Sequence, residues 1–406
     1  VNPSDIEIAD YNFDLPAEKI PDQPLAVRDA SRLLVSTNEA ICDHVFTDLP
    51  DILYSTDVLF MNNTRVIPAR ILFFRPTGAR IEVFCLEPDG MEYQQSMQSQ
   101  IAVSWICLVG GAKKWKEAEL ILEIAEAGHQ SFYLRALKGE ALGEGRYRIS
   151  FEWNDPSLSF AEVLDRAGRI PIPPYFNREP EKEDLERYQT VFALHGGSVA
   201  APTAGLHFTN ELLQALASKS IASEYLTLHI GAGTFKPVSS ITLSDHAMHG
   251  EWFEVTRELI VRLRDFQTGR RIAVGTTSLR TLESLYWLGV KVQSGQLVTG
   301  EYLMLGQWEY LTLPNQISLE QSMDALLNWM DGQDRKVLLA NTSILIAPGY
   351  RFQVVQGLIT NFHMPKSTLI VLVAALIGSR WRAIYNHALA SGYRFLSYGD
   401  SSLLFP

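Results

Sequence analysis

Cysteine is scarce in this 406-residue chain. It has only Cys42, Cys85 and Cys107, with no CxxC pair. Neither a disulfide framework nor a thiolate zinc site is expected, and a reducing cytoplasm suits such a chain. A membrane-length apolar run is also missing. The longest, TLIVLVAALIG from Thr368 to Gly378, is about half of the ~20 residues a bilayer span needs, so it reads as a buried helix and no membrane partner is expected. The opening VNPSDIEIADYNFDLP lacks a basic stretch followed by an apolar one, so it is not read as a secretory leader. Positive charge is short as well: 35 Lys and Arg face 46 Asp and Glu, a net charge of −11. That balance argues against a protein that coats nucleic acid without specificity.

With 47% hydrophobic and 20% charged residues, the chain can fill a core in each of two domains, which excludes disorder. From Arg80 to Trp153 apolar residues alternate in RIEVFCLE, AVSWICLV, ELILEIAEA, SFYLRALKG and RYRISFEW. This predicts five or six strands forming a small antiparallel barrel. Beyond Trp153 the texture changes. The short strands TLHIG, RIAVG and LITNF are each followed by a polar turn and a helix-period segment, which is α/β alternation. The first 69 residues carry little core of their own and are assigned to the same unit. The expected organisation is an α/β domain of residues 1–69 and 154–406, interrupted by an inserted β-barrel domain of residues 70–153. The stretch from Gln293 to Lys336, with its helical SLEQSMDALLNWM, reads as a peripheral elaboration.

Chemistry gathers in a few strings. GSVAAPTAGLHFT, Gly197 to Thr209, places Thr203 and His207 among small residues just ahead of the amphipathic NELLQALASK. Thr209 is an N-cap residue type, and a helix opening behind it presents unpaired N–H groups to an anion. In AVGTTSLRTLES the strand ends at Gly275, and Thr276, Thr277 and Ser278 open a helix carrying Arg280 and Glu283. This is a cradle for carboxylate, phosphate or ribose, or simply a capped helix with an Arg–Glu pair. TLHIGAGTFKPV sets His229 at a strand end, followed by Gly231, Gly233 and Thr234; LITNFHMPKSTL does the same for Asn361 and His363. Open α/β sheets place ligands at such strand ends. DHAMHGEW spaces His246 and His249 three apart ahead of Glu251. A helical i, i+3 pair could hold zinc, but no matching third ligand follows, so acid–base work by His249 or Glu251 is preferred and no metal is expected. The glycines of LHIGAGTF also resemble the first motif of class I methyltransferases, although Phe235 replaces a usual glycine and Pro237 hinders the helix that should follow.

Taken in order, these strings resemble the S-adenosylmethionine:tRNA ribosyltransferase-isomerase family of queuosine biosynthesis. The resemblance spans nearly the whole chain. It adds FDLP (Phe13 to Pro16), RDASRLL (Arg28 to Leu34), FMNNTRVIPAR (Phe60 to Arg70), IPIPPYF (Ile170 to Phe176), ERYQTVFA (Glu186 to Ala193), PGYRF (Pro348 to Phe352) and YRFLSYGD (Tyr393 to Asp400). It implies an α/β-barrel-like main domain carrying the inserted barrel. It further implies an enzyme that transfers and isomerises the ribosyl group of S-adenosylmethionine onto a 7-aminomethyl-7-deazaguanine in tRNA. Epoxyqueuosine in tRNA forms, and adenine and methionine depart. S-adenosylmethionine is then a consumed cosubstrate, and no metal or redox cofactor is implied. Two other readings stay open: a class I methyltransferase, and a non-catalytic tRNA-binding relative.

On that resemblance His207 or His229 is expected to be the base, with Glu251 or Glu283 facing the sulfonium. The cosubstrate would be bound by Thr203, Gly231, Gly233, Thr234, Thr276, Thr277, Ser278, Arg280, Asn361 and His363. Arg28, Arg32, Asn62, Asn63, Arg65 and Arg70 would hold tRNA, and Tyr175, or Tyr398 with Asp400, would receive the base by stacking and edge contacts. A cytoplasmic monomer is expected. The chain reads as longer than is usual for the family, with extra sequence near Glu87 to Ala102 and in the Gln293–Lys336 region.

Overall fold

The computed structural model describes residues 2–91, 93–125, 130–231, 240–296, 302–314 and 317–406. A ten-stranded mixed sheet organises most of them. Four neighbouring parallel strands form its centre: Ala222–Leu228, Val58–Asn62, Arg271–Val274 and Gly357–Asn361. Leu59, Phe60 and Met61, Ile272 to Val274, and Leu358 and Ile359 are all buried, because helices and loops cover both faces of the sheet. Strands covered on both faces read as continuous apolar runs rather than alternating ones. On one side the sheet continues through Ser401–Leu404 and Arg32–Ser36 to Ile41–Val45, and on the other through Glu251–Thr256 and Val337–Thr342 to Leu303–Leu305.

The second sheet is antiparallel and has seven strands. Arg70–Phe74, Arg80–Pro88, Ala102–Gly110, Glu119–Ile124, Phe132–Gly143 and Arg146–Trp153 supply six, and the two-residue Gly168–Arg169 pairs with Arg70–Phe74. The sheet curls until Glu119–Ile124 comes back against Arg70–Phe74. Trp105, Phe132, Phe151 and Phe160 fill its interior. Phe160 belongs to the helix Phe160–Ala167, so this core draws on chain beyond Trp153. The α/β class with an antiparallel insertion therefore agrees with the alternation in the sequence.

Local signals also hold. Thr209 caps Asn210–Ser218 by accepting from the Leu212 N–H at 3.1 Å. Ser318 and Gln321 form a capping box on Leu319–Asp331, and Ser367 caps the buried helix Thr368–Ile377. Among the described residues no single helix is long and apolar enough to cross a membrane.

Candidate functional site

The carboxyl ends of the four central parallel strands deliver Asn62, His229, Gly275 and Asn361 to one edge of the sheet. A cleft of 360 Å³ opens there. Thr203, Thr276, Thr277, Asn361, His363 and Tyr175 all line it, which brings together residues far apart in sequence. Gly275 stands before the first turn of the helix Thr276–Gln293 with φ +89°, a left-handed backbone that suits glycine. The N–H end of an 18-residue helix is thereby turned toward the cleft wall, where an anion is favoured. The Thr277 hydroxyl is buried there without a hydrogen-bond partner.

His207 sits at the end of the 3-10 turn Thr203–His207, with both ring nitrogens engaged. The Asn361 amide nitrogen donates to the carbonyl oxygens of Leu396 and Ser397, at 2.8 and 3.2 Å. Its oxygen must therefore accept the Nε2–H of His207 at 3.0 Å, and Nδ1 accepts from the Ser31 hydroxyl at 2.9 Å. Burial pushes this imidazole down to about 4, so it is neutral near pH 7. His363 lines the cleft with Nε2 at 3.0 Å from the Thr360 hydroxyl, and burial takes it to about 3.

His229 is placed differently. It stacks on Tyr93 at 5.2 Å between ring centroids, and a Cβ on Gly197 would fall 2.3 Å from its Nδ1. Glycine at 197 is what lets the ring lie there. Nδ1 is 3.3 Å from the Thr64 hydroxyl, and among the described residues nothing bonds Nε2. Burial, aided by His195, lowers the ring to about 4.

The two carboxylates expected near a sulfonium are committed elsewhere. Glu251 forms a buried ion pair with Arg280, whose Nε donates to the Ile344 carbonyl at 3.1 Å. Glu283 accepts from the Tyr350 hydroxyl and from the backbone N–H groups of Gln353, Val354 and Val355 at 2.7–3.0 Å. It anchors a loop and does not line the cleft. The Ser278 hydroxyl donates back to the Val274 carbonyl at 2.8 Å. His249 is exposed on an irregular segment, so the helical i, i+3 geometry imagined for it and His246 does not form. Among the described residues no three His, Cys, Asp or Glu gather as a metal would need. Gly231 follows the strand end with open space at its Cα, while Gly233 and Thr234 lie outside the described residues.

A model of the queuosine biosynthesis protein family matches residues 8–404. The chain belongs to that family. It is similar to the S-adenosylmethionine:tRNA ribosyltransferase-isomerase of Magnetococcus marinus, at 37% identity over 98% of this chain and 94% of the relative. A protein of the same name from Novosphingobium aromaticivorans is 40% identical over 403 residues, 98% of each chain. The crystal structure of the S-adenosylmethionine tRNA ribosyltransferase of Thermotoga maritima is 25% identical and covers 97% of this chain and 99% of that one, with a TM-score of 0.45. The Magnetococcus and Novosphingobium relatives are covered over 94% and 98% of their own length, so this chain is not the longer of either pair.

Several family-motif residues brace the fold of this member. Asn62 bonds the backbone N–H and carbonyl of Leu228, at 3.0 and 2.9 Å, and Asn63 accepts from the Thr227 hydroxyl at 2.7 Å. The Arg32 guanidinium lies 3.8 Å over the Tyr393 ring. Asp400 is buried and held by Arg394 at 2.6 Å. Tyr398 stacks on Phe176 at 4.7 Å and donates to Asp184. Arg70 lies 3.5 Å from Glu82, while Arg65 is exposed. Arg28 donates to the carbonyl oxygens of Gln189 and Glu186.

Other lining residues escaped the sequence reading. Ser397 meets the Tyr175 hydroxyl at 2.5 Å, and Tyr188 and Lys366 complete the wall. The strings ERYQTVFA, YRFLSYGD and LITNFHMPKSTL contain them, but nothing in a string says that the three line one cleft.

Proposed function

We propose that this chain is an S-adenosylmethionine:tRNA ribosyltransferase-isomerase. It transfers and isomerises the ribosyl group of S-adenosylmethionine onto 7-aminomethyl-7-deazaguanine in tRNA, giving epoxyqueuosine-tRNA and releasing adenine and methionine. Family membership supports the reading. The observation that carries it to particular residues is the cleft at the strand ends. An open helix N-terminus, small hydroxyls, a neutral imidazole and a tyrosine share it, with no carboxylate among its described lining residues.

The sulfonium acidifies the ribose C5′–H. A base takes that proton and the C4′–O bond opens to a vinyl sulfonium, the freed oxygen becoming the C1′ carbonyl as adenine leaves and takes up a proton. The neutral aminomethyl group adds at C4′ and loses a proton, the C5′ carbanion so formed closes on C1′, and the resulting alkoxide displaces methionine from C5′ to give the epoxide. We assign the base to His229: among the described residues nothing bonds its Nε2, and its neighbour Ile230, though not the ring itself, lines the cleft. His207 is a positioning residue: its Nε2–H fixes Asn361, which fixes the loop carrying Ser397. Thr276 and Thr277, at the helix N-terminus, take the methionine carboxylate or a ribose hydroxyl. Thr203, Asn361 and His363 face the rest of the cosubstrate, and Tyr175 the incoming base. S-adenosylmethionine is consumed, no metal or redox cofactor is required, and the enzyme works as a cytoplasmic monomer.

Incubation with S-adenosylmethionine and tRNA bearing the aminomethyl base tests the reading. Free adenine and methionine are expected. S-adenosylhomocysteine would point to methyl transfer, and tRNA binding without either product would point to a non-catalytic relative. His229→Gln is expected to slow adenine release by ~100-fold or more, the usual scale of general-base catalysis. His207→Gln should lose less and respond mainly in KM. Near-normal turnover of His229→Gln would remove it as the base.

A further inference from the structure

A second, smaller pocket lies against His207. Arg28, Arg187 and Arg394 line it, and Ser397 lines both it and the larger cleft. Arg394 is neutralised by Asp400 at 2.6 Å. Arg28 and Arg187 are not neutralised in this way. Arg28 donates to the carbonyl oxygens of Gln189 and Glu186 at 2.6 and 2.8 Å, and Arg187 to those of Ala26, at 3.2 Å, and Leu25. These contacts fix both guanidinium planes without cancelling their charge. Among the described residues no carboxylate forms an ion pair with either. The Arg187 Nε is buried with no hydrogen-bond partner. Burial and the neighbouring Arg187 push Arg28 below its ordinary range, with the exposed Glu186 opposing.

Two restrained positive charges and an unused buried N–H call for an oxyanion. Size narrows the choice. The pocket volume is 20 Å³, close to what one water requires, so it admits the oxygens of an oxyanion and excludes a nucleobase or sugar. Arginine forks suit phosphate geometry.

We propose that this pocket holds one backbone phosphate of the tRNA, beside the nucleotide whose base enters the cleft. The assignment rests on the proposed function and adds Arg187 to the residues that grip the substrate. Through Ser397 and His207 the phosphate seat shares its wall with the reaction cleft.

The test is the salt dependence of tRNA binding, measured by filter retention between 50 and 300 mM KCl, as roughly chosen to bracket physiological strength. For Arg187→Gln the slope of log affinity against log salt should shrink by about 0.9, the share of one phosphate, and low-salt affinity should fall roughly tenfold. Arg187→Lys should recover most of the slope. Affinity for S-adenosylmethionine, measured by calorimetry, should not move. Inorganic phosphate, added at constant ionic strength, should compete with tRNA on the wild-type protein and not on Arg187→Gln. An unchanged slope in a variant with a normal melting transition overturns the proposal, as does absence of phosphate competition on the wild type. Loss of S-adenosylmethionine affinity with the tRNA slope intact also overturns it, giving the pocket to the cosubstrate carboxylate. If Arg187→Gln does not fold, Arg28→Gln is read in the same way. Adenine release by the wild type reports separately on the proposed function.

Discussion

His207, His229 and His363 are held neutral by burial at about 4, 4 and 3, against an ordinary imidazole value of 6.5. The unfolded chain binds protons between those values and 6.5 while the folded one does not. Stability is therefore complete above about pH 6.5 and drains away as pH falls toward 4. For His207, which is 4% exposed, the shift corresponds to ~3 kcal/mol at ~1.4 kcal/mol per pKa unit. Urea midpoints should drop steadily from pH 7 to pH 4.5, and His207→Gln should flatten part of that fall. A midpoint independent of pH across the interval would contradict the neutral assignment. At this scale the sequence was informative about which residues are special and poor about why. The LHF string marks His207, but its partners Ser31 and Asn361 are 176 and 154 residues away, and only they reveal that both nitrogens are in use. Asn62 and Asp400 show the same limit, since a polar side chain that braces backbone looks in a string like one awaiting a ligand.

Strands and helices were more legible than the pairs they carry. Continuous apolar runs identify the buried parallel strands, and Thr209, Ser318 and Ser367 mark three helix starts. Arg280 and Glu283 looked like a helical i, i+3 pair, which presumes an exposed helix face. Thr276–Gln293 is instead buried along most of its length, so Arg280 turns to Glu251 while Glu283 turns to the loop at 353–355. In DHAMHGEW the spacing of His246 and His249 pairs nothing, because a three-residue spacing has meaning only where a helix exists and none forms there. The N-terminus of Thr276–Gln293 offers a test of its own. The Thr277 hydroxyl lies buried and unpartnered, which costs stability unless a ligand answers it. Thr277→Val should keep the shape and leave thermal stability equal or higher, while weakening S-adenosylmethionine binding about tenfold, within the range for one lost hydrogen bond. Unaltered affinity would separate this hydroxyl from the cosubstrate.

Across the whole molecule, the segment from Glu87 to Ala102, which reads as extra sequence, reaches His229, the residue proposed as the base. Its short helix Tyr93–Met97 lays Tyr93 against His229 with the rings 17° from parallel. An imidazole on one sheet is thus steadied by an aromatic ring carried by the other. The Tyr93 hydroxyl has no partner, so the ring rather than the phenol is what His229 uses. Tyr93→Phe should release adenine at a rate near wild type, and Tyr93→Ala should lose roughly tenfold or more by freeing the imidazole from its required pose. Equal rates for both variants would dissociate the stack from the reaction.

The large sheet carries one more consequence in its strand order. Ser401–Leu404 does not sit at an edge; it lies between Gly357–Asn361 and Arg32–Ser36. Those two flanks meet only through a strand made some 365 residues after the first of them, so the sheet cannot close until all the chain between has been made. The curled antiparallel sheet, whose strands lie between Arg70 and Arg169, needs no such wait. During synthesis the chain should carry a finished insert inside an unfinished host, with the apolar flank of Arg32–Ser36 exposed to chaperones until the last strand arrives.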